Sequence, residues 1–337
     1  MKPPPSRAPA SARSPSAPPH GWWPRIRPWL YGVFAVLVAV LIVRQARTLD
    51  WNEVRQAVLR LQPHTLLLAG ALTALSHLLY SHYDLIGRHL LGLSLPRRRV
   101  MAVTAVSYAF NLNLGSLIGG LAFRYRLYAR LGLSTAETTQ VLGFSMLTNW
   151  LGWSVVAGTC FVLGLVRPPE TWGVPQPALQ AAGAVLLLAA AGYLLACARS
   201  RRRTWRVRGH ELTLPRGRVA LIQLALSAAN WLVIGAVLHA LMPASLSYPV
   251  VLGALMVSAV AGVITHIPAG LGVIEAVCLA LLGGQVGHGV LLASLLAYRV
   301  LYYLVPLSLA IVGYLRLEAV ATRSLTEPES ASPPPRS

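Results

Sequence analysis

Thr265-His-Ile-Pro-Ala-Gly-Leu-Gly-Val-Ile-Glu275 lies inside an otherwise apolar run from Tyr248 to Leu282. It sets a histidine, a proline, two glycines and a carboxylate where a membrane helix would carry apolar side chains. Hydrocarbon admits broken backbone and ionisable groups only where protein or a water-filled cavity surrounds them. A second break, Asn111-Leu-Asn-Leu-Gly-Ser-Leu-Ile-Gly-Gly-Leu-Ala-Phe-Arg124, falls in the first half of the chain. Interrupted hydrophobic segments, one in each half, point to a transport site.

The composition around these breaks fits that frame. Of 337 residues, 55% are hydrophobic and 12% charged, and several apolar runs reach the roughly 20 residues a spanning helix needs. The short alternating strands of a β-barrel are absent. A net charge of +19 is not a nucleic-acid signature here, because the arginines lie between apolar runs, where they orient helices and meet anionic headgroups. The segment Arg199–Arg218, with eight arginines and one glutamate, reads as a cytoplasmic loop resting on anionic lipid. Cys160, Cys197 and Cys278 sit far apart in apolar stretches and read as small buried hydrophobes. His77 and His82 are five apart, off metal-ligand spacing, and no nucleotide-binding loop or hydrolase elbow occurs. Neither a metal nor a cofactor is expected, nor an enzymatic activity.

Composition divides the chain into a basic Pro/Ser-rich disordered tail (1–27), a membrane domain (28–316) and a second disordered tail (317–337). Full spans are expected near Pro28–Arg44, Pro63–Tyr83, Thr139–Val166, Pro177–Arg199, Val219–Leu241 and Gly289–Leu315. The first is read as a retained helix, since no convincing cleavage site follows it. Between the first two, Trp51, Val54, Val58 and Leu61 share one helical face, so residues 49–61 read as an interfacial amphipathic helix.

Charge decides whether Arg99–Phe123 and Tyr248–Leu282 cross or turn back. With both crossing and the N-terminus inside, 13 Lys and Arg fall inside against 15 outside, contrary to the positive-inside bias. With both returning to their own side, the count becomes 23 against 5, which satisfies it. The expected fold is an all-α polytopic membrane protein of about six full transmembrane helices plus two opposed re-entrant helical hairpins. It is inverted-repeat-like, with both termini cytoplasmic and limbs near 99–112, 117–129, 249–264 and 273–284.

Candidate substrate-binding residues follow. Glu275 stands near the third position of a helix capped by Gly272, where a carboxylate complements free N–H groups. It also serves as a counter-charge for Arg124, Arg299 or a cationic headgroup. Arg299 lies inside the last span among Tyr298, Tyr302 and Tyr303. It either pairs with Glu275 to fix packing or offers its planar fork to a phosphate. His266 is a titratable group beside the break. Asn111 and Asn113 open the first break, and Gly115, Gly119, Gly120, Pro268, Gly270 and Gly272 are the break formers, by turning or by close packing. Arg126 and Arg130 read as topology charges. Asn149-Trp150 and Asn230-Trp231 repeat a polar–aromatic pair suited to interhelical hydrogen bonds.

Phe110–Tyr128 and Thr265–Ala276 resemble the paired motifs of the lysylphosphatidylglycerol synthase transmembrane family, and more closely its stand-alone YbhN-like bacterial inner-membrane proteins. Pro268-Ala-Gly-Leu-Gly-Val-Ile-Glu275 carries the resemblance most specifically, and the likeness spans most of 28–316. It implies a flippase-type membrane region in the bacterial inner membrane. Only a short polar tail follows Leu315, so the aminoacyltransferase domain of the two-domain relatives is not expected. The first break also has Leu114-Gly-Ser116 where many relatives carry a Pro-Gly pair. The expected role is binding or flipping a phospholipid or related amphiphile, with Arg124, Arg299 and Glu275 holding the headgroup. The alternatives are a small-solute or ion transporter with a His266/Glu275 relay, and an adaptor that partners a lipid enzyme.

Overall fold

Pro63 occupies the first turn of α1 (Pro63–Ser81), where a missing N–H leaves no helical bond unmade. The helix is inside-out by the standard of soluble proteins. Leu67, Leu68, Leu75 and Leu78 are exposed, while Thr73, Ser76 and Tyr80 are buried. Spacings of three and four put those three polar residues on one helical face. The sequence therefore aims a polar stripe inward and leucines toward lipid. The computed structural model describes residues 62–200, 204–207, 210–265, 267 and 270–326. The expected tail 1–27, span Pro28–Arg44 and interfacial helix 49–61 lie outside the described residues.

Beyond α1 the chain bends at His82 into α2 (Tyr83–Leu90) and then enters α3 (Arg97–Leu114). A π-helical segment, Ser116–Ala122, leads into α4 (Phe123–Arg130). The start of α5 (Thr135–Val162) is fixed by a capping box. Ser134 Oγ accepts from the Glu137 N–H at 3.2 Å, and Glu137 Oε2 accepts from the Ser134 N–H at 2.8 Å. Then come α6 (Gln176–Arg199), α7 (Gly217–Leu241), α8 (Tyr248–Thr265) and α9 (Val273–Leu282). The last span is α10 (His288–Tyr298), a second π segment at Arg299–Leu304, and α11 (Val305–Thr326).

Among the described residues, five stretches are long and apolar enough to cross a membrane: α5, α6, α7, α8 and His288–Leu317. By contrast α9 has ten residues, about 15 Å of rise, half of a ~30 Å hydrocarbon core. The chain is a helical, polytopic membrane protein.

Packing follows the small and polar residues. The backbones of α5 and α6 approach through Gly158 and Gly183, where a Cβ on Gly183 would come 2.8 Å from the Gly158 carbonyl. Gln223 of α7 donates to Thr148 Oγ1 of α5 and accepts from Tyr193 of α6, each at 2.9 Å, so one amide ties three helices. The two Asn-Trp pairs do form interhelical bonds. Ser227 and Trp231 donate to the Asn149 carbonyl at 3.1 and 3.2 Å, and Asn230 Oδ1 accepts from Ser76 at 2.7 Å. Cys160, Cys197 and Cys278 are buried thiols outside any disulfide.

Three features depart from the expectation. The loop after α6 is not wholly irregular: β1 (Thr204–Val207) and β2 (His210–Thr213) pair antiparallel, with Val207 opposite His210. Thr204, Trp205 and Val207 favour an extended strand, a signal hidden by the arginines. The final helix continues to Thr326, past the expected membrane boundary at 316, because no Gly or Pro interrupts it before Pro328. Two π segments interrupt otherwise helical stretches, and periodicity alone did not announce them.

Candidate functional site

The two breaks face one cavity. Asn111, Gly115 and Ser116 line it from the first, and Ile267, Gly270 and Val273 from the second. Tyr298, Tyr302 and Tyr303 come from the last span, with Tyr108 and Trp231 beside them. Its volume is about 560 Å³, within the range of small-molecule sites.

Glycine builds both breaks, for two different reasons. Gly115 has φ 82° and ψ 168°, a region that side chains rarely enter, and it stops α3. Gly270 and Gly272 also have positive φ, 56° and 76°, and Gly272 is the N-cap of α9. Gly119 and Gly120 serve packing instead. A Cβ on Gly119 would overlap the Phe110 carbonyl, and one on Gly120 would come 2.7 Å from Asn111 Oδ1. These glycines let the π segment lie directly on α3.

The expected charged residues separate into two ion pairs. Glu275 and Arg299 form a two-pronged contact: Arg299 Nε donates to Oε1, and Nη2 donates to Oε2 at 2.8 Å. Nη2 also donates to the Gly270 carbonyl at 3.0 Å, which ties the second break to the last span. Arg124 does not join them. Its Nε lies 3.1 Å from Asp84 Oδ2, and Tyr128 donates to the same oxygen at 2.7 Å. Both Asp84 and Arg124 are buried, so each charge is compensated where water cannot do it. None of Arg124, Glu275 and Arg299 lines the cavity.

Asn113 also turns away from the cavity. Its Nδ2 donates to the Ala109 carbonyl at 2.8 Å and to the Tyr303 carbonyl at 3.1 Å, joining α3 to the second π segment. His266 and Pro268 lie outside the described residues.

Between the two ion pairs runs a set of aromatic contacts that sequence reasoning missed. The Arg124 guanidinium lies 5.6 Å from the Tyr80 ring, and Tyr80 stacks on Tyr108 with ring centres 3.6 Å apart. Tyr108 and Tyr302 share a hydroxyl–hydroxyl bond of 2.9 Å, and Ser76 bonds Tyr302 at 2.7 Å. Tyr302 neighbours Tyr303, over whose ring Arg299 sits at 5.6 Å. His77 packs its ring against both Tyr108 and Tyr302. The polar stripe Thr73–Ser76–Tyr80 was the signal available for this cluster. The pairing of Asp84 with Arg124 spans forty positions and leaves no local trace.

Comparison with known proteins falls on the same region. Residues 29–310 match the family model described as the lysylphosphatidylglycerol synthase TM region. The chain is 43% identical over 313 residues to the inner membrane protein YbhN of Escherichia coli, covering 93% of this chain and 98% of that one. It is also 32% identical over 267 residues to an uncharacterized protein of Synechocystis, covering 78% and 83%. The matched region contains both breaks, both ion pairs and the cavity between them: the chain is a multi-pass inner-membrane protein that belongs to the lysylphosphatidylglycerol synthase transmembrane family.

Proposed function

We propose that this protein binds a phospholipid or related amphiphile and moves it between leaflets, with the headgroup passing through the cavity between the two breaks. The observation that carries this reading is the cavity's composition and edge. Asn111, Ser116, tyrosines and broken backbone line it together with aliphatic side chains, and two of the latter, Val263 and Ile267, are exposed, 52% and 42% accessible. A headgroup can leave water there while the acyl tails stay in lipid.

In this reading the two breaks are the tips of opposed re-entrant hairpins, α3 to α4 from the cytoplasm and α8 to α9 from outside. About six full spans surround them, both termini are cytoplasmic, and the Arg199–Arg218 segment rests on anionic headgroups. The process makes and breaks no covalent bond, so the protein is not an enzyme. Arg299 and Glu275 keep the second break in shape, and Asn111 meets the headgroup directly.

The test is lipid redistribution in vesicles reconstituted with purified protein, followed with a headgroup-labelled lipid and a membrane-impermeant quencher. Wild type is expected to expose inner-leaflet label at least about tenfold faster than empty vesicles, and Glu275→Gln to lose most of that gain. Wild-type vesicles that behave like empty ones would sink the proposal.

A further inference from the structure

The buried arginines Arg124 and Arg299 are each paired with a carboxylate, and neither pair belongs to the cavity lining. The described wall carries no Lys, Arg, Asp or Glu. It is built of aliphatic side chains with neutral donor–acceptor residues set among them: Tyr298, Tyr303, Ser116 and Asn111. We propose that the cavity selects an uncharged, hydroxyl-bearing headgroup, a sugar or polyol, over a bare phosphate or a quaternary ammonium. This rests on the reading that a lipid headgroup enters the cavity, and it names that headgroup's chemical class.

Each rival chemistry meets a specific obstacle. A phosphate entering this wall loses its hydration and finds no cation among the described lining residues, since Arg299 is held by Glu275 and Arg124 lies beside Asp84 outside the lining. A quaternary ammonium seeks open ring faces, but the guanidinium of Arg299 already lies over Tyr303. The Glu275 carboxylate, its natural counter-charge, is held by the same arginine. A sugar or polyol needs neither. Its hydroxyls exchange water for neutral donors and acceptors at small net cost, and its C–H groups lie against aliphatic lining such as Leu112 and Val263.

The test uses full-length protein in vesicles holding equal amounts of three lipids with matched tails: monoglucosyl diacylglycerol, phosphatidic acid and a trimethylammonium-headed diacyl lipid. After extraction, the lipids retained per protein are counted by mass spectrometry. The glucolipid is expected to be retained about tenfold over its share. Ser116→Ala and Tyr303→Phe, which remove one hydroxyl each, the latter keeping the ring, are expected to lower that retention without changing the melting temperature. Preferential retention of phosphatidic acid or of the ammonium lipid overturns the proposal, and so does no preference at all. Excess free glucose separates lipid from soluble sugar. Failure to displace the glucolipid supports a lipid headgroup. Displacement keeps the sugar chemistry but sinks the lipid reading. Retention of the glucolipid without transbilayer movement sinks translocation alone.

Discussion

Tyr108 and Tyr302 meet hydroxyl to hydroxyl at 2.9 Å, and through that contact the surroundings of the two buried ion pairs join. Tyr108 belongs to α3 and stacks on Tyr80, which lies beneath Arg124. Tyr302 belongs to the second π segment and adjoins Tyr303, which lies beneath Arg299. A run of packed and hydrogen-bonded tyrosines therefore joins the two breaks.

Removing the Tyr302 hydroxyl breaks its bonds to both Ser76 and Tyr108, whereas removing the Tyr108 hydroxyl breaks one. Each is worth about 0.5–1.5 kcal/mol net. Tyr302→Phe is expected to lower thermal stability in detergent more than Tyr108→Phe. The double variant should cost less than the sum, because the two changes share a bond. Strict additivity in melting experiments would show that the bond does not form.

Asp84 is fully buried, while the Glu275 side chain is 18% exposed. Asp84→Ala strands Arg124 without its counter-charge and is expected to cost about 3–5 kcal/mol. Glu275→Gln keeps a hydrogen-bonding group at a more open site and should cost less. Asp84→Leu combined with Arg124→Met removes both charges and is expected to recover most of the loss. Unfolding curves in detergent read all of these, and a double variant no better than Asp84→Ala would contradict the pairing.

Glycines sort by what surrounds them. Gly119→Ala drives a Cβ into the Phe110 carbonyl, and Gly115→Ala forces a side chain into a glycine-only conformation. Each is expected to cost about 1–3 kcal/mol. Gly143→Ala meets no atom within 4 Å and should be neutral or slightly stabilising, as Ala is the better helix former. Folded yield and melting temperature provide the ranking.

The hairpin topology makes a sidedness prediction. Ser94 and Ala136 flank the first hairpin, and Ser245 and Gln285 flank the second; all four are exposed. Single cysteines at Ser94 and Ala136 should react with an impermeant maleimide only from the cytoplasmic side. Those at Ser245 and Gln285 should react only from outside, against a background of buried native thiols. Labelling of the two members of either pair from opposite faces would mean that the segment crosses.

How much of this was legible in the sequence depends on how locally each feature is written. The start of α9 could be read because Gly272 and Glu275 form a self-contained terminus signal. The contact between Glu275 and Arg299 was one of two named options, since an intramembrane carboxylate needs a cation. Arg124 was aimed at the same cluster, because nothing near it in the chain names Asp84 as its partner. The contacts of Tyr80 and Tyr108 are illegible for a related reason. A tyrosine in an apolar helix reads as bulk, and only three-dimensional packing shows that Tyr80, Tyr108 and Tyr302 touch. The β1–β2 pairing was masked by charge, since a run rich in arginine reads first as a solvated loop.

The π segment at Arg299–Leu304 has a consequence for which chain lengths this site tolerates. A π turn amounts to one residue more than an α-helix would use over the same rise. Deleting one residue between 299 and 304 takes out that extra residue, so a regular helix covers the same rise and the chain after it keeps its phase. Tyr314, which packs edge-on against Phe110 and Phe123, stays in place. The change falls inside the turn, which carries Arg299, Tyr302 and Tyr303: losing a single codon resets the directions in which these three side chains project while the last helix stays on the first break.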